Sequence, residues 1–138
     1  MTLENLVRIR QLNSEPPDQR EIEGLVKAAI DRLNDAENEA LAYASRFDLA
    51  YGAAHGLALA ALRASGYRSD KRYLVFQCLT HTTELGKTHI RLFATCHERR
   101  NLAEYEGYFE TDEQLLSELI ASTKELSKLV GWIALLAF

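Results

Sequence analysis

Both prolines of this chain stand side by side, at Pro16 and Pro17, and none follows through Phe138. Proline is the residue that most reliably interrupts a helix, because it lacks the amide proton and its ring clashes with the preceding turn. Everything after Asp18 is therefore open to helix. Those residues are rich in Ala, Leu, Glu, Lys and Arg, and the glycines fall mainly at segment ends, so the composition favours helix almost throughout. The expectation is an all-α fold, an up-and-down antiparallel bundle of five or six helices. At 138 residues and 47% hydrophobic, one core suffices, so residues 1–138 read as a single domain.

The apolar spacing divides the chain. A short helix is expected over Leu3 to Leu12, then a polar turn at NSEPPDQ with Asp18 as N-cap of the next helix. Ile22, Leu25, Val26, Ala29, Ile30 and Leu33 recur at three- and four-residue steps and mark one stripe. A longer helix runs to the stop at Gly66, its Ala40, Ala44, Phe47, Tyr51, Ala54, Ala58 and Ala61 forming a small-residue face that lets a neighbour approach closely. A helix over Tyr73 to His81 follows, then one over Glu84 to Tyr105 with Gly107 as terminator. The last begins at Thr111 as cap, with acids in its first turn, and carries Leu115, Leu116, Leu119, Ile120, Leu126 and Val130 at helical spacing. The final Trp132 to Phe138 is apolar enough either to close the core or to form a homodimer contact.

Several classes are set aside on composition. Cys78 and Cys96 have neither the number nor the spacing of a disulfide framework or zinc site and read as buried reduced thiols. The start MTLENLVRIRQLNSEPP has no uninterrupted apolar region of a secretory signal. The longest apolar run, LVGWIALLAF, is far short of the roughly 20 residues that span a bilayer. A cytoplasmic protein with no membrane association is the expectation. His81, His89 and His97 each swing about 80° around a helix from the one before, so they do not converge on a metal. No metal and no cofactor are expected.

The charge pattern says more than the net of −4. From Arg63 to Arg100 eight basic residues face three acids, a local +5 that leaves −9 for the remainder. A local field of that sign attracts anions whatever the total. Within the segment, HERRNLAEYEG gathers His97, Arg99, Arg100, Asn101 and Tyr105 near the end of a helix. A guanidinium offers a permanent charge and a fork of donors to phosphate oxygens, an amide can orient it or read a base edge, and a tyrosine can stack or donate. His97, Asn101 and Tyr105 follow a four-residue spacing, and Arg100 is placed to bond Glu104. Lys71 and Arg72 add charge to the same basic segment. On the alanine-rich helix Arg46, Asp48, Tyr51 and His55 are polar inclusions that serve either as satisfied core groups or as a pocket or interface.

RFDLAYGAAHGLALAALRASGYR on a long helix, followed by a helix ending in RRNLAEYEG, resembles the HEPN family of small α-helical domains over about residues 19–129. The resemblance implies a bundle, often dimeric, whose members include toxin RNases of toxin–antitoxin pairs and partners of nucleotidyltransferase proteins. It maps Arg100 onto the hallmark arginine and Asn101 onto the polar residue after it. Tyr105 stands where the family has its histidine, and a phenol with an ordinary pKa near 10 is a poor proton acceptor at neutral pH. The implied catalytic set is Arg100, Asn101 and Tyr105, with Arg99, Arg100, His97, Lys71 and Arg72 as nucleic-acid contacts. The function expected is RNA or nucleotide binding by a homodimer, as a degenerate toxin-type RNase. The alternative is a non-catalytic module that dimerises or docks on a nucleotidyltransferase-like protein. A pocket for a small apolar or anionic ligand beside the alanine-rich helix is a third reading.

Overall fold

The computed structural model describes residues 2–107 and 110–136, with side chains through residue 131. Its helices are α1 (Leu3–Arg8), α2 (Gln19–Ala36), α3 (Tyr43–Ala64), α4 (Arg72–Gln77), α5 (Leu79–Thr82), α6 (Lys87–Glu106) and α7 (Glu113–Leu136). Cys78 ends α4 and begins α5, so these two are one helix broken at a single residue and the bundle has six helical units. The fold is all-α, as the residue pattern implies.

α3 is the axis. Phe47, Ala50, Tyr51, Ala53, Ala54, Leu57, Ala58, Ala60, Ala61 and Leu62 are all buried, which places other elements around most of its circumference. Small side chains make this feasible, because close approach of helices requires little bulk between their backbones. A methyl built on Gly56 would already touch Ala29 Cβ of α2 at 3.5 Å. The close contact lies further along than the spacing suggests: Ala40 sits in the turn before α3, and both it and Ala44 are exposed.

Contacts fix the directions. Arg63 near the end of α3 bonds Glu21 near the start of α2, while Arg46 near the start of α3 bonds the Ala36 carbonyl at the end of α2. α3 thus runs back along α2. Tyr51 meets His97, and Ala44 and Asp48 share a cleft with Arg100, Ala103 and Glu104, so α6 runs back along α3. His89 meets Ser122 and Arg99 meets Asp112, so α7 returns along α6. That is an up-and-down order.

Several boundaries differ from the sequence expectation. α1 stops at Arg8 and not at Leu12, because Arg10 adopts φ 61° and the amides of Gln11 and Leu12 both donate to the Leu6 carbonyl. The turn drives Leu12 into the core at 2% exposure, which a continued helix would not do. Asn13–Ser14 (β1) pairs antiparallel with Tyr67–Arg68 (β2), a bridge too short to leave any alternation in sequence. The final helix is capped by Asp112, whose Oδ1 accepts from the Leu115 amide, one residue after the Thr111 expected there. Ile30, assigned to the apolar stripe of α2, is 41% exposed. Asp18 does cap α2, accepting from the amides of Arg20 and Glu21, and Gly107 ends α6 with φ 67°. The expected dimer contact of Trp132 to Phe138 lies outside the residues whose side chains are described.

The basic middle is divided by the fold. Arg63, 1% exposed, and Arg68 are bound to Glu15 and Glu21, and Arg63 also donates to the carbonyls of Glu15, Pro16 and Tyr67. Their charges are spent on fastening the Pro16–Pro17 turn to the end of α3. Lys71 donates to Gln11 Oε1 at 2.8 Å. What is left for an external anion is a smaller group.

Candidate anion site between α3, α4 and α6

Phe76 of α4 and Phe93 of α6, both fully buried and stacked at 5.3 Å, make the floor on which this group rests. Tyr51 packs edge-on against Phe76 at 5.7 Å, and His55, one turn further along α3, does the same at 6.0 Å. Above them come the polar residues. Tyr51 Oη lies 2.8 Å from His97 Nδ1, and Asn101 Nδ2 lies 3.1 Å from His97 Nε2. Both imidazole nitrogens are therefore engaged. With Asn101 donating to Nε2, the ring proton sits on Nδ1 and is donated to Tyr51, which frees the phenol proton for a further acceptor.

Two guanidiniums converge on the same ring. The central carbon of Arg100 lies 5.2 Å from the Tyr51 ring centroid and that of Arg72 lies 5.7 Å from it, from different helices. Against the effect of burial, the Arg72 and Arg100 charges both act to lower the Tyr51 phenol pKa. Cation–π attraction offsets part of the cost of gathering two positive charges. Arg100 is bonded to Glu104 at 2.9 Å, a half-exposed carboxylate one turn on. Beside Arg100 opens a cleft of about 330 Å³ lined by Ala44, Asp48, Arg100, Ala103 and Glu104. Its carboxylates, Asp48 and Glu104, are both exposed.

The surrounding charge is legible in the titrating groups. Burial first, then the charges of Arg100 and Arg72, hold His97 below its ordinary value, so the imidazole is neutral at pH 7. Burial pushes Tyr51 above its ordinary value. His55 is pushed down to about 4 by burial, with Arg72, Arg100 and His97 adding to the effect. Its Nε2 is buried without a hydrogen-bond partner among the described residues. Because the folded pKa of His55 lies below the unfolded value near 6.5, its contribution to stability is present above pH 6.5 and is lost as pH falls toward 4. We expect the His55 imidazole to titrate near pH 4 by NMR, with the melting temperature falling between pH 6.5 and 4. A midpoint at 6.5 would mean an open, solvated ring.

Of the residues singled out in sequence, the fold brings together His97, Arg100, Asn101, Arg72, Tyr51 and His55, with Asp48 in the cleft beside Arg100. It leaves others out. Tyr105 is 81% exposed and makes no part of the cluster. Arg99 faces Asp112 at 3.8 Å, Lys71 faces Gln11, and Arg46 turns to the opposite side of α3 to hold the Ala36 carbonyl and approach Glu113. Tyr73 is the member not anticipated, its ring 5.6 Å from that of His97. Its one sequence signal is position, directly after Arg72 at the start of α4. Cys78 and Cys96 are buried free thiols pushed up to about 11 and about 12 by burial, hence protonated and poorly nucleophilic. Among the described residues, no group of three His, Cys, Asp or Glu could hold a metal ion, and no helix is long and apolar enough to cross a membrane.

No family model matches the chain, and neither a curated protein nor a solved structure is detectably similar to it.

Proposed function

We propose that the cluster of Arg72, Arg100 and Tyr51, where α4, α6 and α3 meet, binds a phosphate of RNA or of a nucleotide, in a HEPN-like bundle. The observation that carries this reading is the convergence of Arg72 and Arg100 on one buried tyrosine. Two like charges held within reach of one ring, beside an imidazole kept neutral, form a site completed by an anion. Glu104 is a local substitute for that anion: it sits on the exposed side of Arg100 and is free to swing away. Binding, and not cleavage, is the activity assigned. Both nitrogens of His97 are occupied, and Tyr105, at the place of the family histidine, is 81% exposed. His97 positions the site; it has no free lone pair with which to take a proton.

The test is a salt titration of binding to single-stranded RNA. Neutralising one phosphate on a single strand contributes a slope of about −0.7 to log K against log salt. Binding that is absent at every ionic strength, or that ignores salt, removes the proposal.

A second reading is favoured by a separate observation. Leu102 and Tyr105 are both exposed at the far end of α6, 40% and 81%, next to the basic cluster. A protein partner of the nucleotidyltransferase type, or a second copy of the chain, would cover them. A stoichiometric complex recovered on co-expression with such a partner, together with no RNA binding by the free chain, would replace the first reading with this one.

A further inference from the structure

Tyr73 has no core role that calls for a tyrosine. Val75 and Phe76 supply the buried contacts of α4, while Tyr73 remains 42% exposed. Its ring nevertheless continues a series. Tyr51, 1% exposed, lies stacked 6.2 Å from His97, and His97 lies 5.6 Å from Tyr73 at a tilt of 48°. The rings step from the core to the surface and end there with a ring that is 42% exposed. Immediately before Tyr73 comes Arg72, one of the two guanidiniums over the Tyr51 ring.

We propose that the Tyr73 ring is the stacking platform for a nucleobase of a single-stranded chain whose adjacent phosphate lies on Arg72 and Arg100. This rests on the phosphate reading above and extends it to the class of substrate. A base in a duplex has both faces covered by its neighbours, so only an unpaired or terminal base can lie on the ring. An aromatic face beside a cationic pair matches the two parts of a nucleotide, planar and anionic, and neither part alone accounts for both features. Stacking of one base is of the size that changes affinity by about 10-fold to 100-fold.

The experiment compares a short oligouridylate with a chain of 1-deoxyribose units of equal length, which keeps every phosphate and 2′-hydroxyl and carries no base. The protein is expected to bind the oligouridylate at least about 10-fold more tightly. Tyr73→Leu should abolish that preference while keeping the affinity for the baseless chain, and Tyr73→Phe should restore it. Far-UV circular dichroism confirms that each variant is folded. Equal affinity of the native protein for the two chains overturns the stacking platform and leaves the phosphate site standing, as does a preference that survives in Tyr73→Leu. Binding of neither chain at low salt overturns both.

Discussion

Exchanging Arg63 for methionine is expected to lower stability by about 3–5 kcal/mol. For a domain of this size that corresponds to a melting temperature lower by roughly 10–20 °C. The reason lies in what the guanidinium holds. Its Nε donates to Glu21 at 2.5 Å, and its terminal nitrogens donate to the carbonyls of Glu15, Pro16 and Tyr67 and meet the Glu15 carboxylate at 3.2 Å. Methionine fills most of the volume and satisfies none of these acceptors. Arg68 binds the same two carboxylates from a site 35% exposed, so Arg68→Met should cost markedly less. The acid limb gives a second measurement. Hydrogen bonds from Arg68 and then Arg63 hold Glu21 below its ordinary value, so this contribution is present above the unfolded pKa near 4.3 and is lost as pH falls through the folded one. Arg63→Met should therefore show a shallower loss of stability in acid. If its melting temperature matched that of the native protein, the buried network would have no stabilising role.

Removing both guanidiniums over Tyr51, Arg72→Ala with Arg100→Ala, should weaken RNA binding by about 3 kcal/mol, roughly 100-fold. This takes the lower end of the range for a charge-assisted bond to phosphate, since Asp48 and Glu104 beside Arg100 oppose an incoming anion. The salt dependence should flatten by about 0.7 in the same variant. Of the single changes, Arg100→Ala should cost more than Arg72→Ala, because it also leaves Glu104 without its partner beside the bound phosphate. Arg100→Lys keeps the charge and loses the fork, and should recover only part of the affinity. Arg91, an exposed cation of α6 outside the cluster, is the control. Should Arg91→Ala weaken binding as much as the cleft double variant, the attraction would be a diffuse field and the cleft would have no special role.

The readings that depended on neighbours along the chain are the ones the fold retains. Helix content, the Asp18 cap and the Gly107 stop are local matters, decided within a few residues by amide satisfaction and by glycine's tolerance of positive φ. The four-residue step from His97 to Asn101 likewise becomes a contact on one helix face. Tyr105 shows the limit of that reasoning. Equal spacing along α6 put it in the same row, yet it is the most exposed of the large apolar side chains described, at 81%.

Arg63, Arg68, Arg72 and Arg100 look alike in the string of letters and are all part of one basic segment. Their fates diverge because an arginine's role depends on which carboxylates and rings reach it, and those come from distant positions: Glu21 lies 42 residues before Arg63, and Tyr51 lies 46 residues before His97. Residue chemistry alone dictated that this chain would be helical and that its middle would carry positive charge. Which of those charges are neutralised in the core and which stand together at a cleft was settled by packing, because electrostatic partnership falls off within a few ångströms and sequence distance says nothing about that separation.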